Sequence, residues 1–266
     1  MTEKDFNFKK KYGQNFLKDE SIPKKIIDSA KIDEGSLVIE IGPGAGIMTK
    51  LLANNPNVKQ VLAYEIDESL EDILAEELAG VKNVDIIYDD FLNRKVSEDI
   101  KKYSYSKLYV IANLPYYITT PIIIKLIEED IDLEKMVIMI QKEVADRFSA
   151  QPKSKEYGSI TVFLNYYFDI KKEFNVSRNL FTPKPNVDSM VISLNKKKDK
   201  YDVKDKELFF KLVRDSFKFK RKTLRNNLKG YNLEKINKVL EKYRLDLTVR
   251  AEQLPIEVFV DISNNL

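Results

Sequence analysis

The sequence contains no cysteine and no histidine among its 266 residues. Without cysteine, the chain can form no disulfide, no thiolate metal site and no thiol nucleophile. Without histidine, it lacks the Ser-His-Asp and Cys-His nucleophile systems, His-ligated zinc and the most common general base. Any chemistry therefore needs little help with proton transfer, or takes that help from carboxylates, tyrosine or the backbone. We expect no bound metal.

Long apolar runs are also missing. No run approaches the roughly 18–20 residues of a membrane-spanning helix, and the N-terminus, MTEKDFNFKKKYGQ, lacks the apolar core of a signal peptide. With 43% apolar and 33% charged residues, the composition is that of an ordinary globular protein. The length suffices for one large domain, or for one domain with a small second one. We therefore expect a cytoplasmic protein without membrane association.

Charge is distributed unevenly, although the formal net charge is only +3. The segment 211–230, KLVRDSFKFKRKTLRNNLKG, holds eight Lys or Arg against the single Asp215, whereas 64–90 holds ten acids against one lysine. Such a concentrated basic segment indicates contact with a polyanion. The rings of Phe217 and Phe219 within it favour nucleic acid as that polyanion. A solvated helix face remains the alternative.

Short apolar runs alternate with stretches of helical spacing over the first 150 residues. The strand-like runs cover 36–41, 60–65, 84–89, 107–112 and 134–141, and the helical stretches cover 47–53, 68–78, 121–129 and 142–150. Continuous apolar strands separated by helices predict an α/β fold, with a doubly wound, mostly parallel, Rossmann-like sheet that helices cover on both faces.

The pattern changes in the second half of the chain. Two further strands, within 160–176 and 187–196, would complete the sheet, one of them antiparallel at its edge. The charged segment 196–207 indicates a linker, and the remainder has the spacing of three or four short helices. We therefore predict a sheet domain over 1–197, with 1–30 as an N-terminal arm, and a small all-helical domain over 198–266.

Several polar or glycine-rich features fall at the carboxyl ends of predicted strands, the edge at which doubly wound sheets bind ligands. The loop EIGPGAG supplies Gly42 and Gly44, which let the backbone approach a ligand closely. Glu65 ends the second strand, where an acid can accept hydrogen bonds from both hydroxyls of a ribose, and Asp90 follows the third. Together they indicate an adenosine-bearing cofactor. Because Pro43 has no N–H, the loop is a poor pyrophosphate cradle, which favours S-adenosylmethionine over NAD.

The segment NLPYYITTP begins at Asn113, after the fourth strand. The exocyclic amine of adenine is a poor nucleophile, because its lone pair is delocalised into the ring. The side-chain oxygen of Asn113 and the carbonyl of Leu114 can accept hydrogen bonds from the two N–H groups of this amine. Pro115 rigidifies the loop. Tyr116 offers a stacking surface for a flipped base, so catalysis would depend largely on positioning. The alternative is a rigid strand-to-helix turn in which one of the two threonines caps the helix.

Five segments occur in order along the chain: YGQNFL (12–17), EIGPGAG (40–46), NLPYYITTP (113–121), FTPKPNVDS (181–189) and KRKTLRNNL (220–228). Together they resemble the bacterial branch of the small-subunit ribosomal RNA adenine N6-dimethyltransferase family, and the last three are specific to it. The resemblance extends over nearly the whole chain, through RAEQLP at 250–255. It implies that four methyl groups pass from S-adenosylmethionine to two adjacent adenosines in the 3′-terminal hairpin of 16S rRNA, during small-subunit biogenesis.

The resemblance also implies roles for individual residues around the cofactor. The implied contacts, with Gly44 added from the loop pattern, are Asn15, Leu17, Gly42, Gly44, Glu65, Asp90 and Asn113. Glu65 would hold the ribose and Asp90 the adenine of the cofactor. Asn15 and Leu17 would close over it from the N-terminal arm.

A second group of residues would hold the RNA. The implied groups around the target base are Asn113, Leu114, Pro115, Tyr116 and Phe181, and those on the RNA phosphates are Lys220, Arg221, Lys222 and Arg225. Phe181 would stack on the base opposite Tyr116. The alternative for Phe181 is an edge hydrophobe that packs under the TPKP segment.

Two other functions remain open. Enzymes that methylate an adenosine of large-subunit 23S rRNA, and so confer antibiotic resistance, share the cofactor and Asn-Pro motifs but do not usually carry KRKTLRNNL. A ribosome-assembly factor that acts mainly by binding is the other possibility. The intact motif from Asn113 to Tyr116 argues against a protein without catalysis, and it is compatible with a second, checkpoint-like role. We expect a monomer that acts on small-subunit rRNA within the pre-30S particle.

Overall fold

A computed structural model of the chain describes residues 16–17, 19, 21–115, 118–199 and 201–266. The strands are β1 (Phe16–Leu17), β2 (Ser36–Ile41), β3 (Val58–Glu65), β4 (Val84–Tyr88), β5 (Leu108–Asn113), β6 (Lys135–Gln141), β7 (Phe168–Val176), β8 (Phe181–Thr182) and β9 (Ser189–Lys196). The α-helices are α1 (Ser21–Ala30), α2 (Ile47–Ala53), α3 (Glu71–Glu77), α4 (Val96–Asp99), α5 (Thr119–Glu128), α6 (Lys142–Phe148), α7 (Ser159–Tyr167), α8 (Lys206–Ser216), α9 (Leu224–Asn227), α10 (Leu233–Lys242) and α11 (Ile256–Asn264).

Seven of these strands form one sheet in the order β4-β3-β2-β5-β6-β9-β7. The neighbours from β4 to β6 pair in parallel, and β9 pairs with β6 in the antiparallel direction. From β2 the chain moves outward to β3 and β4, and then returns to the other side of β2 to form β5 and β6. The strand order therefore reverses between β2 and β5, and the predicted doubly wound, mostly parallel sheet is confirmed.

The strands were predictable because the central ones are buried on both faces. Every residue of β2 is buried, as are five of the seven residues of β6. Parallel strands covered on both faces appear in sequence as continuous apolar runs rather than as alternating ones. The predicted helix over 121–129 begins two residues earlier, at Thr119, since a proline is tolerated in the first turn of a helix.

Two expectations about the second half of the sheet were wrong. The antiparallel strand β9 lies between β6 and β7, and not at the edge of the sheet. Residues 160–167, ITVFLNYY, form most of helix α7, and the strand begins only at Phe168. A short apolar run is compatible with a buried strand or a buried helix. The helix begins where the Gly158 N–H donates to the Thr161 hydroxyl, at 3.1 Å.

The chain divides into two compact units. The sheet unit comprises the described residues up to Ala145 together with Lys171–Asn195, and the helical unit comprises Asp146–Ile170 and Lys196–Leu266. The helical unit thus includes a segment that the sequence-based boundary at 197 had assigned to the sheet. Tyr166 of α7 explains this, because its ring centroid lies 5.4 Å from that of Phe209 and 5.2 Å from that of Phe210, both on α8. That this part of the chain binds RNA stays a prediction.

Among the described residues, no helix combines the length and the apolar character that a membrane crossing requires.

Candidate active site and nucleic-acid surface

The glycine loop between β2 and α2 uses most of its backbone donors internally. The Gly42 N–H donates to a β3 carbonyl at 2.9 Å, and the Gly46 N–H donates to the Pro43 carbonyl at 3.0 Å. The Gly44 N–H donates to Oε2 of Glu65 at 3.1 Å. Pro43 has no N–H to offer. The loop therefore retains few donors for a phosphate, and its geometry suits a cofactor without one.

Two of these glycines are required for different reasons. Gly42 has φ +74°, and a Cβ built there would meet no atom within 4 Å, so the space beside it is open. Gly46 has φ +84°, and a Cβ there would lie 3.0 Å from Leu74 of α3. Both need glycine because L side chains rarely adopt this backbone region. Gly42 leaves room for a ligand, whereas Gly46 lets α2 pack against α3.

Glu65 ends β3 with its carboxylate fixed from both sides. Oε2 accepts from the Gly44 N–H, and Oε1 accepts from the Asp67 N–H at 2.9 Å. Only 4% of the residue is exposed, and this burial raises the pKa of Glu65 while the two backbone bonds oppose the rise. Each oxygen has a second lone pair, so the carboxylate is oriented to accept two further hydroxyl donors.

Ile66, directly after Glu65, is a candidate site residue that the motifs did not reveal. Its side chain is 41% exposed, although it is large and apolar. The signal available in the sequence was an apolar residue beyond the end of a strand, between two acids. In this position it presents a hydrophobic surface next to the Glu65 carboxylate.

Glu40 is a second acid near the loop. In the sequence it belongs to the apolar run 36–41 and to the segment EIGPGAG, and neither pattern assigned it a role. It is fully buried, and neither carboxylate oxygen has a hydrogen-bond partner among the described residues. Burial, with the nearby Glu65 carboxylate adding to it, raises the pKa of Glu40 to about 8. Glu40 is therefore largely protonated at neutral pH.

Asp90, after β4, begins a short turn of 3-10 helix over Phe91–Asn93. Its Oδ1 accepts from the Leu92 N–H at 2.9 Å, which fixes the carboxylate and leaves Oδ2 available to a ligand. The side chain is half-buried. It lies at the carboxyl end of the strand next to that of Glu65, as the sequence predicted.

A polar network fixes the turn that carries Asp90. The Arg94 guanidinium donates to both carboxylate oxygens of Asp99, at 2.6 and 3.1 Å, and lies 3.5 Å from Asp89. The Tyr64 hydroxyl also donates to Asp99, at 3.1 Å. Bidentate contacts of this kind restrict geometry as well as adding energy. The turn is therefore fixed relative to the end of β3.

Asn113 is the last residue of β5 and is half-buried. The pairing of β2 with β5 aligns Glu40 with Ile111, so Gly42 and Asn113, each two residues further along, lie at the same level of the sheet edge. The pairing of β2 with β3 likewise aligns Ile41 with Tyr64 and so brings Gly42 level with Glu65. Neighbouring strands are about 4.8 Å apart, and β2 lies between β3 and β5. The backbones of Glu65 and Asn113 therefore lie roughly 10 Å apart, a distance that a nucleoside can span.

The turn after Asn113 is anchored by its backbone. The Leu114 N–H donates to the Met139 carbonyl at 3.2 Å, and Pro115 accepts from the Ile118 N–H at 3.2 Å. Leu114 is only 2% exposed. The α5 helix begins at Thr119 without a side-chain cap, so neither threonine has the capping role of the alternative interpretation. Tyr116 lies outside the described residues.

Phe181 is buried, with 2% of its surface exposed, among apolar side chains of the sheet-unit core. Its strand β8 pairs with β1, and Leu17 lies opposite Phe181. In this arrangement the ring offers no free face to a base, so stacking on Phe181 requires that the ring be uncovered. That role stays a prediction, as does the cofactor contact of half-buried Leu17. Asn15 lies outside the described residues.

The predicted phosphate contacts cluster after α8 in the helical unit. Arg221, Lys222 and Arg225 are exposed, and none of them forms an ion pair in the described part of the chain. Lys220 is also exposed, and its ammonium group donates to the Lys155 carbonyl at 2.6 Å. The structure thus adds exposed Lys155 to the surface, from a segment that the sequence analysis had assigned to the sheet domain.

Comparison with known proteins identifies the family. A family model described as ribosomal RNA adenine dimethylase matches residues 5–266. The ribosomal RNA small subunit methyltransferase A of Streptococcus gordonii is 44% identical over 270 residues, which cover 98% of this chain and 92% of that protein. The protein of the same name from Streptococcus thermophilus is 43% identical with the same coverage.

Solved structures agree with this assignment. A dimethyladenosine transferase from Plasmodium falciparum has a TM-score of 0.76 and 28% identity, over 93% of this chain and 95% of that one. A 23S rRNA methyltransferase, ErmE, has a TM-score of 0.74 and 24% identity, over 94% and 99% of the two chains. The latter likeness shows the fold alone. The resemblance inferred from the five segments is confirmed, and the chain belongs to the ribosomal RNA adenine dimethylase family.

Proposed function

We propose that this protein transfers methyl groups from S-adenosylmethionine to N6 of two adjacent adenosines in the 3′-terminal hairpin of 16S rRNA, giving N6,N6-dimethyladenosines. The observation that carries the proposal is the common level of Glu65, Gly42 and Asn113 along three adjacent strands at the reversal of strand order. In this arrangement the cofactor's ribose and the target amine would take neighbouring positions. Membership of the family supplies the reaction class.

The residues present fit S-adenosylmethionine. Glu65 has a preoriented carboxylate for two ribose hydroxyls, and Asp90 keeps one oxygen for the amine of the cofactor's adenine. Exposed Ile66 would cover an apolar face of that adenine. The loop at Gly42 is open to a ligand, while few of its donors are left for a phosphate. When bound, the cofactor supplies a methyl group on a sulfonium, which is a reactive electrophile.

Asn113 and Leu114 would orient the nucleophile. In the first transfer, the N6 amine donates one N–H to the side-chain oxygen of Asn113 and the other to the Leu114 carbonyl. These acceptors hold the nitrogen in line with the carbon that it attacks and increase its electron density. Rigid placement of two reactants can contribute roughly 7–11 kcal/mol in favourable systems. The turn is suited to this role because Leu114 and Pro115 are fixed by backbone bonds.

The proton released from nitrogen needs no histidine. An amine that has just been alkylated becomes strongly acidic, so it can lose its proton to water or to the loop carbonyls. We propose that Tyr116 stacks on the flipped base. The absence of histidine and cysteine from the sequence is therefore compatible with this reaction, which depends on positioning rather than on a general base.

Small-subunit rRNA is favoured over large-subunit rRNA by sequence and not by fold. The 23S rRNA methyltransferase ErmE shares the fold at a TM-score of 0.74, so architecture does not separate the two targets. The sequence does separate them, because the chain is 44% identical, over 98% of its length, to a small-subunit methyltransferase. The exposed cations around Arg221 would supply a surface for the part of the small-subunit rRNA beyond the target adenosines.

The proposal extends to the setting of the reaction. The substrate would be rRNA within the pre-30S particle, since a lone hairpin offers the cations of the helical unit little to contact. Such a substrate would place the enzyme in the cytoplasm. We propose in addition that it acts as a monomer and without a metal. A second role as an assembly checkpoint is compatible with the same surfaces.

Mass spectrometry of treated rRNA tests the function directly. Small and large ribosomal subunits that lack the modification are incubated with the protein and isotopically labelled S-adenosylmethionine. We expect label on two adjacent adenosines near the 3′ end of 16S rRNA, as dimethyladenosine. Label on 23S rRNA would establish the alternative target. Binding to the subunits without any label would establish an assembly factor that acts by binding alone.

A further inference from the structure

Phe219 differs from the other ring of the basic segment in its exposure. Its side chain is 56% exposed. Phe217, two residues earlier, packs into the helical unit, with its ring centroid 6.0 Å from Tyr157 and 5.9 Å from Phe259. The sequence alone does not distinguish the two rings. In the structure Phe217 stabilises the fold, and Phe219 is available to a partner.

The side chain of Asn227 holds the loop that carries Phe219. We call residues 217–223 the basic loop. The Phe219 N–H donates to Oδ1 of Asn227 at 3.2 Å, and Nδ2 of Asn227 donates to the Ser216 carbonyl at 2.7 Å and to the Phe219 carbonyl at 3.2 Å. The Phe219 carbonyl also accepts from the Lys222 N–H at 2.9 Å. The backbone of Phe219 is therefore fixed, so the exposed ring has a defined place.

The surroundings of this ring are cationic. The Lys218 ammonium lies 5.8 Å from the ring centroid, and Lys220, Arg221 and Lys222 are exposed in the same loop. A flat apolar surface among cations complements a ligand with flat faces and a negative backbone, which describes nucleic acid. In a regular duplex the base faces are already stacked on each other. The ring therefore suits an unpaired base in a loop, bulge or single strand.

We propose that Phe219 stacks on an unpaired base of the small-subunit rRNA while the cations of the basic loop neutralise the flanking phosphates. This inference rests on the proposed function, because it takes rRNA as the partner. The base is distinct from the adenosine that Asn113 orients. Asn227 acts as the positioning residue, since its amide fixes the backbone on both sides of the ring.

Substitutions at position 219 separate stacking from charge. Affinity is measured for unmethylated small subunits and for protein-free 16S rRNA, over a series of salt concentrations. Stacking of one base corresponds to about a five- to hundredfold change in Kd, so we expect Phe219→Ala and Phe219→Leu to weaken binding by that factor. Phe219→Tyr should bind as the wild type does. The slope of affinity against salt should stay unchanged in all three, because no charge is removed.

Two further variants sharpen the test. Tyr243 is 40% exposed in the same helical unit, and Tyr243→Ala should leave RNA affinity unchanged. Asn227→Ala should weaken binding through the loss of the fixed loop. If the two residues act together, the double variant Phe219→Ala, Asn227→Ala should lose no more affinity than Phe219→Ala alone. Additive losses would overturn the positioning role of Asn227.

Other outcomes would overturn the stacking proposal. Wild-type affinity of Phe219→Leu would show apolar packing without stacking. A loss confined to intact subunits, with protein-free rRNA bound normally, would identify a ribosomal protein as the occupant. Unchanged affinity of Phe219→Ala, alongside weaker binding after charge reversal at Arg221 and Lys222, would refute stacking and leave the proposed function intact. Absence of any labelled small-subunit rRNA with the wild-type enzyme would refute the proposed function itself.

Discussion

The backbone N–H of Gly44 donates to the Glu65 carboxylate across 3.1 Å, and this bond joins the glycine loop after β2 to the end of β3. The same carboxylate accepts from the Asp67 N–H at 2.9 Å. Two fixed donors therefore orient an acid that is almost fully buried. The loop and the acid act as one preformed surface, so the ribose of a cofactor would meet acceptors that need no rearrangement.

Replacement of Glu65 by alanine should weaken S-adenosylmethionine binding by about 10- to 100-fold, since hydrogen bonds to a charged group contribute about 1.5–3 kcal/mol. Isothermal titration calorimetry with S-adenosylhomocysteine measures this without turnover. The matched control is Glu77→Ala, which removes an acid from a solvent-exposed ion pair with Lys50 and should not change the dissociation constant. An unaltered affinity in the Glu65 variant would reject the ribose contact.

Replacement of Asn113 by alanine should abolish measurable methyl transfer while the fold is kept. The side chain supplies an acceptor at the reacting nitrogen, and loss of a polar group that orients and polarises the reacting atoms commonly lowers kcat by about 10²–10³. Single-turnover assays on unmethylated small subunits, with thermal unfolding as a check on the fold, provide the measurement. Asn237→Ala, which removes a half-buried amide on α10 that donates to Glu241, is the control. Wild-type turnover by the Asn113 variant would remove the residue from the mechanism.

Much of the sheet unit could be predicted because its information is local. The strands around Glu65 and Asn113 are apolar runs, and their polar ends follow from the rule that doubly wound sheets bind ligands at carboxyl ends. The helix α7 could not be predicted in this way, since ITVFLNYY has the composition of a strand as well as of a buried helix. Its aromatic residues pack on Phe209 and Phe210 of α8, and such long-range contacts leave no periodic signal.

The site contains features that depend on three-dimensional packing. Glu40 lies within a strand-like run, and only the folded structure shows that it is completely buried. Phe217 and Phe219 have the same local context, yet one packs inward and the other is exposed. The carbonyl of Lys155 comes beside Lys220 through the fold of the helical unit. None of these relationships leaves a local signal in the sequence.

Charge reversal at the predicted phosphate contacts should weaken RNA binding and flatten its dependence on salt. Each phosphate contact that Arg221, Lys222 and Arg225 provide contributes a slope of roughly 0.7–0.9 in log affinity against log salt. The triple change to glutamate should therefore reduce the slope by about two to three. The matched control carries the same reversal on helix α10, at Lys235, Lys238 and Lys242. An unaltered slope in the first variant would mean that the RNA contacts another surface.

Glu40 should make the stability of the protein fall as the pH rises towards 8. Burial raises its pKa from the ordinary glutamate value of 4.5 to about 8, so between these values the native state holds a proton that the unfolded state has released. Stability then declines by about 1.4 kcal/mol for each pH unit. Glu40→Gln keeps the side-chain volume and removes the titration. We therefore expect the free energy of unfolding of the wild type, measured in urea from pH 5 to pH 9, to fall relative to that of the variant until about pH 8 and then to run parallel. Parallel curves throughout the range would show that the Glu40 carboxyl is already ionised in the native state at pH 5.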